Sequence, residues 1–142
     1  MKSEVIKNVA SILNRLSIKW AIIGSTSLAL QGINTKPKDL DILIKNKDIQ
    51  KVKRAFKDYK TTEIKKNSSE ECEEFNVHIK DVEVQICADY ETSIYSRKLD
   101  ETKRIKCAEV EVNVFDLKTE AECYEKTGRK EKANMIRTFI KK

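Results

Sequence analysis

The chain has 142 residues, of which 39% are hydrophobic, 37% charged and 6% aromatic, with three Gly and one Pro. That length and apolar content suit one folded domain spanning residues 1–142 and exclude both a disordered chain and two separate cores. The longest uncharged stretch, Trp20 to Thr35, is interrupted by Gly24, four Ser/Thr residues and Gln31, so nothing reads as a membrane span or secretory leader and the expectation is a cytoplasmic protein.

The net charge is +6, and its location matters more than its size. From Lys126 to Lys142 there are seven basic residues and one acid, so this segment carries an excess equal to that of the whole chain. A basic terminal segment is either a solvated lysine-rich face or a surface for phosphate-rich partners. Cys72, Cys87, Cys107 and Cys123 form no Cys-x-x-Cys pair, and there is one histidine, His78. Structural zinc is therefore disfavoured and the cysteines are expected to be free thiols.

In chain order, Val5, Val9, Ile12 and Leu16 keep helical spacing after Ser3, a candidate N-cap, which predicts an amphipathic helix over 3–16. Ile18 to Ile23 is a short apolar run with Trp20, a buried strand ended by Gly24. Ser25 to Gln31 reads as two turns of helix stopped by Gly32, and 33–38, with the lone Pro, as loop. Asp39 to Ile44 is a second strand. Asn46 is then expected to cap a helix whose apolar stripe is Ile49, Val52, Phe56 and Tyr59, and the polar stretch 65–74 reads as loop.

Phe75, Val77 and Ile79, then Val82, Val84 and Ile86, alternate with polar residues and predict a hairpin turning at Lys80-Asp81. A second hairpin is expected over 105–108 and 110–114. Asp116 caps a helix through Lys126 that Gly128 stops, and Ala133, Ile136, Phe139 and Ile140 give a final helix its apolar side, so 118–142 is helical and basic. This order implies an α/β (α+β) fold, a mixed sheet flanked by helices with helices at the C-terminus.

The chemistry concentrates between Trp20 and Ile44. Strand alternation puts Asp39 and Asp41 on one face, with Leu40, Ile42 and Ile44 on the other. Two strand rises separate the aspartate Cα atoms by roughly 6 to 7 Å. Asp is depleted in strands and like charges repel, so a divalent cation is the economical reason for the pair. Gly24-Ser25 opens the preceding helix, where unpaired N–H groups and three hydroxyls favour an anion. Phosphate beside metal is the chemistry of nucleotide transfer. A third carboxylate is Glu83, which a two-residue turn at Lys80-Asp81 sets opposite His78. Lys36 and Lys38 precede the acids, and Lys38 is a candidate nucleotide contact.

These residues resemble the DNA polymerase β-like nucleotidyltransferase superfamily, whose signature is an apolar strand, Gly-Ser or Gly-Gly, a spacer, Asp-apolar-Asp and a later acid in a strand. Here the signature is Trp20-Ala21-Ile22-Ile23-Gly24-Ser25, then Asp39-Leu40-Asp41-Ile42, with Val82-Glu83-Val84 downstream and Gly128-Arg129-Lys130-Glu131-Lys132 similar to a late segment of such proteins. The likeness is strongest to small single-domain prokaryotic members, the aminoglycoside- and lincosamide-adenylylating enzymes and the minimal nucleotidyltransferases of toxin–antitoxin pairs. It implies that Asp39 and Asp41 bind two Mg²⁺, that Glu83 helps hold one of them, and that Gly24 and Ser25 hold the outgoing β- and γ-phosphates. Two positions depart from the pattern: Glu83 stands where many relatives have Asp, and Thr26-Ser27-Leu28-Ala29-Leu30 replaces the Arg-rich helix of toxin-linked members. The implied activity moves a nucleoside monophosphate from a nucleoside triphosphate, ATP foremost, to a hydroxyl on a small molecule, RNA or protein, releasing pyrophosphate. The rival expectation is the same fold without turnover, an antitoxin-like partner or RNA-binding module. A second copy or partner protein completing the acceptor site fits either.

Overall fold

The computed structural model describes residues 3–68, 72–91 and 97–142. Its elements are α1 (Ser3–Arg15), β1 (Trp20–Ile23), α2 (Gly24–Leu30), β2 (Leu40–Lys45), α3 (Ile49–Ala55), β3 (Lys60–Thr61), β4 (Lys65–Lys66), β5 (Cys72–Ile79), β6 (Val82–Asp89), β7 (Lys103–Cys107), β8 (Val110–Val114), α4 (Leu117–Lys126) and α5 (Lys130–Ile140). Short 3₁₀ turns occupy Asn46–Asp48 and Leu99–Glu101. The fold is the mixed α/β sheet with flanking and C-terminal helices that the sequence implies.

The strands form one sheet in the order β3-β5-β6-β2-β1-β8-β7, with β4 also on β5. At its centre β2 runs antiparallel to β1 and parallel to β6, and this register sorts every side chain by face. Trp20, Ile22, Leu40, Ile42, Ile44, Val84 and Ile86 form one face, buried under Val5, Val9 and Leu13 of α1 and Val52 of α3. Burying such side chains contributes about 1.5–3 kcal/mol each, so this face anchors the sheet. Trp20 keeps its indole N–H satisfied on Asn14 Oδ1 at 3.1 Å. Ala21, Leu43, Leu99 and Phe115 make a smaller cluster on the opposite face. A third cluster ties Leu28 of α2 to Ala121 and Tyr124 of α4 and Ala133 and Ile136 of α5.

The hairpin β5–β6 has the expected register, His78 facing Glu83 and Ile79 facing Val82, with Lys80 taking φ 55° in a turn that lacks Gly. Asp116 caps α4 by accepting the Thr119 N–H at 2.8 Å. Gly32 and Gly128 follow α2 and α4 at φ 100° and 84°, the left-handed stops expected of them.

Other expectations are corrected. Asn46 caps no helix: its side chain donates to Glu73 Oε1 at 2.9 Å, across 27 positions, and a 3₁₀ turn precedes α3. Tyr59 lies beyond α3, packed on the core from the loop. The stretch 65–74 is not simply loop, because Lys65–Lys66 pairs with Glu73 and Glu74 and β5 begins at Cys72; residues 69–71 lie outside the described residues. The first strand starts at Trp20 rather than Ile18, and Asp39 lies one residue before β2. None of the four cysteines is in a disulfide, and the Cys87 thiol donates to Cys72 Sγ on the neighbouring strand at 3.0 Å. No helix among the described residues is long and apolar enough to cross a membrane.

Candidate active site

Strand β1 ends at Ile23, and Gly24 turns the chain into α2 with φ 73°, a conformation costly for any residue with a Cβ. There is a second reason for glycine. A Cβ at this position would stand 2.8 Å from Asp41 Oδ2, so the missing side chain is the room in which the carboxylate sits. Register explains the approach, since Ile23 pairs with Asp41 across β1 and β2. The Thr26 hydroxyl, buried in α2, donates to the Asp39 carbonyl at 2.9 Å and pins the loop before β2 to the same helix. Gly24, Ser25, Asp39 and Asp41 are thus drawn together by backbone pairing and one buried hydroxyl.

Asp41 is partly buried and its carboxyl is pushed above the ordinary range, first by burial and then by the negative charge of Asp39, with Lys132 pulling the other way. Asp39 is exposed beside it. The lysine comes from α5: Lys132 Nζ donates to Ser25 Oγ at 3.0 Å across 107 positions. Among the described residues no ion pair joins either aspartate to a lysine or arginine, and Lys132 acts on Asp41 only at longer range.

On β6, Gln85 is in register with Asp41, and Glu83 projects from the same face two residues earlier. The Glu83 carboxylate is turned toward β5, accepting from Asn76 Nδ2 at 2.8 Å and lying 3.7 Å from His78 Nε2. The expected His78–Glu83 neighbourhood is therefore real. Glu83 is not gathered with the aspartates: among the described residues no three His, Cys, Asp or Glu side chains cluster closely enough to hold a metal ion. Lys38 is exposed in the loop before Asp39.

Behind Gly24 sits a group that sequence reasoning missed. Glu120, in the first turn of α4, is 0% exposed, and Arg97 Nε lies 3.0 Å from its Oε1 with the arginine side chain 13% exposed. Burial raises the Glu120 carboxyl, while Arg97 and the Gly24 backbone N–H oppose that rise. The Gly24 amide thus faces Glu120, and the residue serves the site by leaving space for Asp41. Nothing in the local pattern marks Glu120, one of three glutamates in α4, as buried.

A Gly-Ser turn thus leaves a buried strand, with Asp41 on the neighbouring strand, Asp39 one residue before that strand, and a polar sheet face beyond them. The sequence pattern of the aminoglycoside-2''-adenylyltransferase family matches residues 5–137, and the chain belongs to that family. Among solved structures, the fold is shared with a Thermotoga maritima protein described as a nucleotidyltransferase, at 21% identity and TM-score 0.74, over 97% of this chain and 91% of that one. It is shared also with the lincosamide adenylyltransferase LnuA in its lincomycin-bound form, at 12% identity and TM-score 0.67 over 96% and 97% of the two chains. ANT(2'')-Ia in complex with adenylyl-2''-tobramycin matches at 10% identity and TM-score 0.65 over 97% and 88%. No curated protein matches the sequence significantly.

Proposed function

We propose that residues 1–142 form one nucleotidyltransferase unit that moves the adenylyl group of ATP to an acceptor hydroxyl and releases pyrophosphate. The observation that carries this reading is the packing of the Asp41 carboxylate into the space of Gly24, beside Asp39, with Ser25 the next residue of the turn. In the reaction a bond forms between the acceptor oxygen and the α-phosphorus, and the bond from that phosphorus to the α–β bridging oxygen breaks. Its electron pair leaves on pyrophosphate, and the acceptor's proton passes to solvent or a carboxylate. Catalysis of this kind rests on positioning and charge neutralisation.

The residues fit a divalent cation, because Asp41 is crowded by a second negative charge that burial leaves poorly screened. Asp39 and Asp41 would hold it, with Glu83 as the candidate third ligand on the same face, and Mg²⁺, as two ions, would supply charge neutralisation at the transferring phosphate. The chain's own part is separate. Gly24 sets the distance between the turn and Asp41, Ser25 offers a hydroxyl to a phosphate oxygen, and Thr26 fixes Asp39 by its carbonyl. Lys38, exposed one residue before Asp39, is a further nucleotide contact in this reading.

The acceptor is read as a small hydroxyl-bearing molecule with amino groups. Beside Asp41 the open face of β6 and β5 presents Gln85, Glu83, Asn76 and Glu74, a polar and net acidic floor that suits such a molecule. The family's name, and the tobramycin adduct on a relative of the same fold, support this acceptor class. The test is transfer of label from [α-³²P]ATP to tobramycin or lincomycin with Mg²⁺. Transfer by the wild-type chain and its fall by at least about a hundredfold in Asp41→Ala is the expected result. Undiminished transfer by a folded Asp41→Ala protein overturns the mechanism.

A further inference from the structure

The mechanism above gives no role to the C-terminal helix, yet α5 reaches the site. Lys132 Nζ donates to Ser25 Oγ at 3.0 Å and lies 5.5 Å from the centre of the Tyr124 ring. The Arg129 guanidinium lies 4.9 Å from the same ring. Tyr124 is itself buried between α4 and α5, so two cations are mounted on one fixed aromatic. Arg129 is exposed, and its positive charge acts on Lys132. The Asp41 charge acts on Lys132, but no ion pair joins them, and Asp41 already carries the repulsion of Asp39. The site therefore holds two like-charged pairs, acidic on the strand side and basic on the helix side, with Lys132 of the basic pair on the Ser25 hydroxyl. An ammonium carries three donors, and Ser25 takes one. A ligand satisfying both halves is a cation-bound polyphosphate, its metal toward Asp39 and Asp41 and its outer phosphates toward α5.

We propose that Lys132, with Arg129 beside it, is the phosphate-binding residue for the β- and γ-phosphates of the nucleotide and thus for the departing pyrophosphate. This inference deepens the reading of the site as a nucleotidyltransferase and rests on it. It assigns two of the seven basic residues after Thr119 that lie in 126–142 to triphosphate rather than to a nucleic-acid surface. The side chain acts through its positive charge and transfers no proton. Its ammonium neutralises charge that grows on the bridging oxygen as the bond to the α-phosphorus breaks, so its effect is on polyphosphate binding and on release of the leaving group.

The experiment is calorimetric binding of ATP, inorganic tripolyphosphate and AMP, each with Mg²⁺, to the wild-type chain and to Lys132→Gln and Lys132→Ala. The glutamine keeps a hydrogen-bonding end for Ser25 and removes only the charge, so it serves if the alanine variant fails to fold. Loss of a charge-assisted contact weakens ATP and tripolyphosphate by about ten- to a hundredfold, while AMP binding is unchanged and Lys132→Arg retains polyphosphate affinity. Unchanged tripolyphosphate affinity in both neutral variants overturns the proposal, as does an equal loss for AMP and ATP. A wild-type chain that binds neither ATP nor tripolyphosphate overturns the nucleotide reading itself, an outcome distinct from either of these.

Discussion

Replacing Gly24 by Ala perturbs the site by one methyl group at its tightest point. At φ 73° an L-residue carries about 1–2 kcal/mol of backbone strain. The new Cβ also falls 2.8 Å from Asp41 Oδ2, closer than van der Waals contact allows, so the carboxylate has to rotate away. For a chain of this size a loss of that order lowers the melting temperature by roughly 3 to 7 °C. Activity falls further than stability, because a shift of about 1 Å in a reacting group costs about a hundredfold in rate. Calorimetric unfolding paired with label transfer from ATP reads both. In an Asp41→Ala background the steric part of the stability cost disappears and the strain remains, so a double-mutant cycle separates them. A Gly24→Ala chain with wild-type melting temperature and wild-type turnover refutes the claim that Gly24 exists to seat Asp41.

Two further predictions concern charge. Asp41 titrates above its ordinary value of 3.8 because of burial first and Asp39 second. Ionising it in the folded chain therefore costs stability above the raised midpoint, a cost relieved as pH falls through that midpoint toward the ordinary value, while activity, which needs the carboxylate, falls over the same window. Carbon-13 NMR of the Asp carboxyls follows the midpoint directly: Asp39→Asn lowers it and Lys132→Ala raises it, and movement in the opposite direction for either contradicts the charge arrangement described. Glu120→Ala strands Arg97 in a largely buried position and lowers unfolding free energy by about 3–5 kcal/mol in urea titration, whereas a loss below about 1 kcal/mol refutes the buried pair.

The strand side of the site is legible because it is local. Alternation in Leu40-Asp41-Ile42 turns the Asp41 carboxylate away from the apolar face with no knowledge of partners, Asp39 follows just before the strand, and Gly24-Ser25 marks the turn that seats Asp41. His78 opposite Glu83 follows from a two-residue turn, and Asp116 as a cap from its place before a helical stripe. The helix side is written in contacts between distant positions. Lys132 meets Ser25 across 107 residues, and in the sequence it is one lysine of a basic tail. Glu120 reads as a solvent-facing helix acid until α4 is laid against Gly24 and Arg97. Asn46 shows the same limit in reverse: a good capping residue is drawn off by Glu73 on a strand 27 positions away, and tertiary pairing outweighs the local preference. The parallel pairing of β2 with β6, which sets Gln85 rather than Glu83 level with Asp41, is equally beyond local pattern.

The most direct measurement is a crystal structure of the chain with a nonhydrolysable ATP analogue and Mg²⁺. It should show cation density held between the carboxylates of Asp39 and Asp41, with the triphosphate running past Ser25. A triphosphate bound elsewhere, or the two aspartates diverging with no ion between them, contradicts the account.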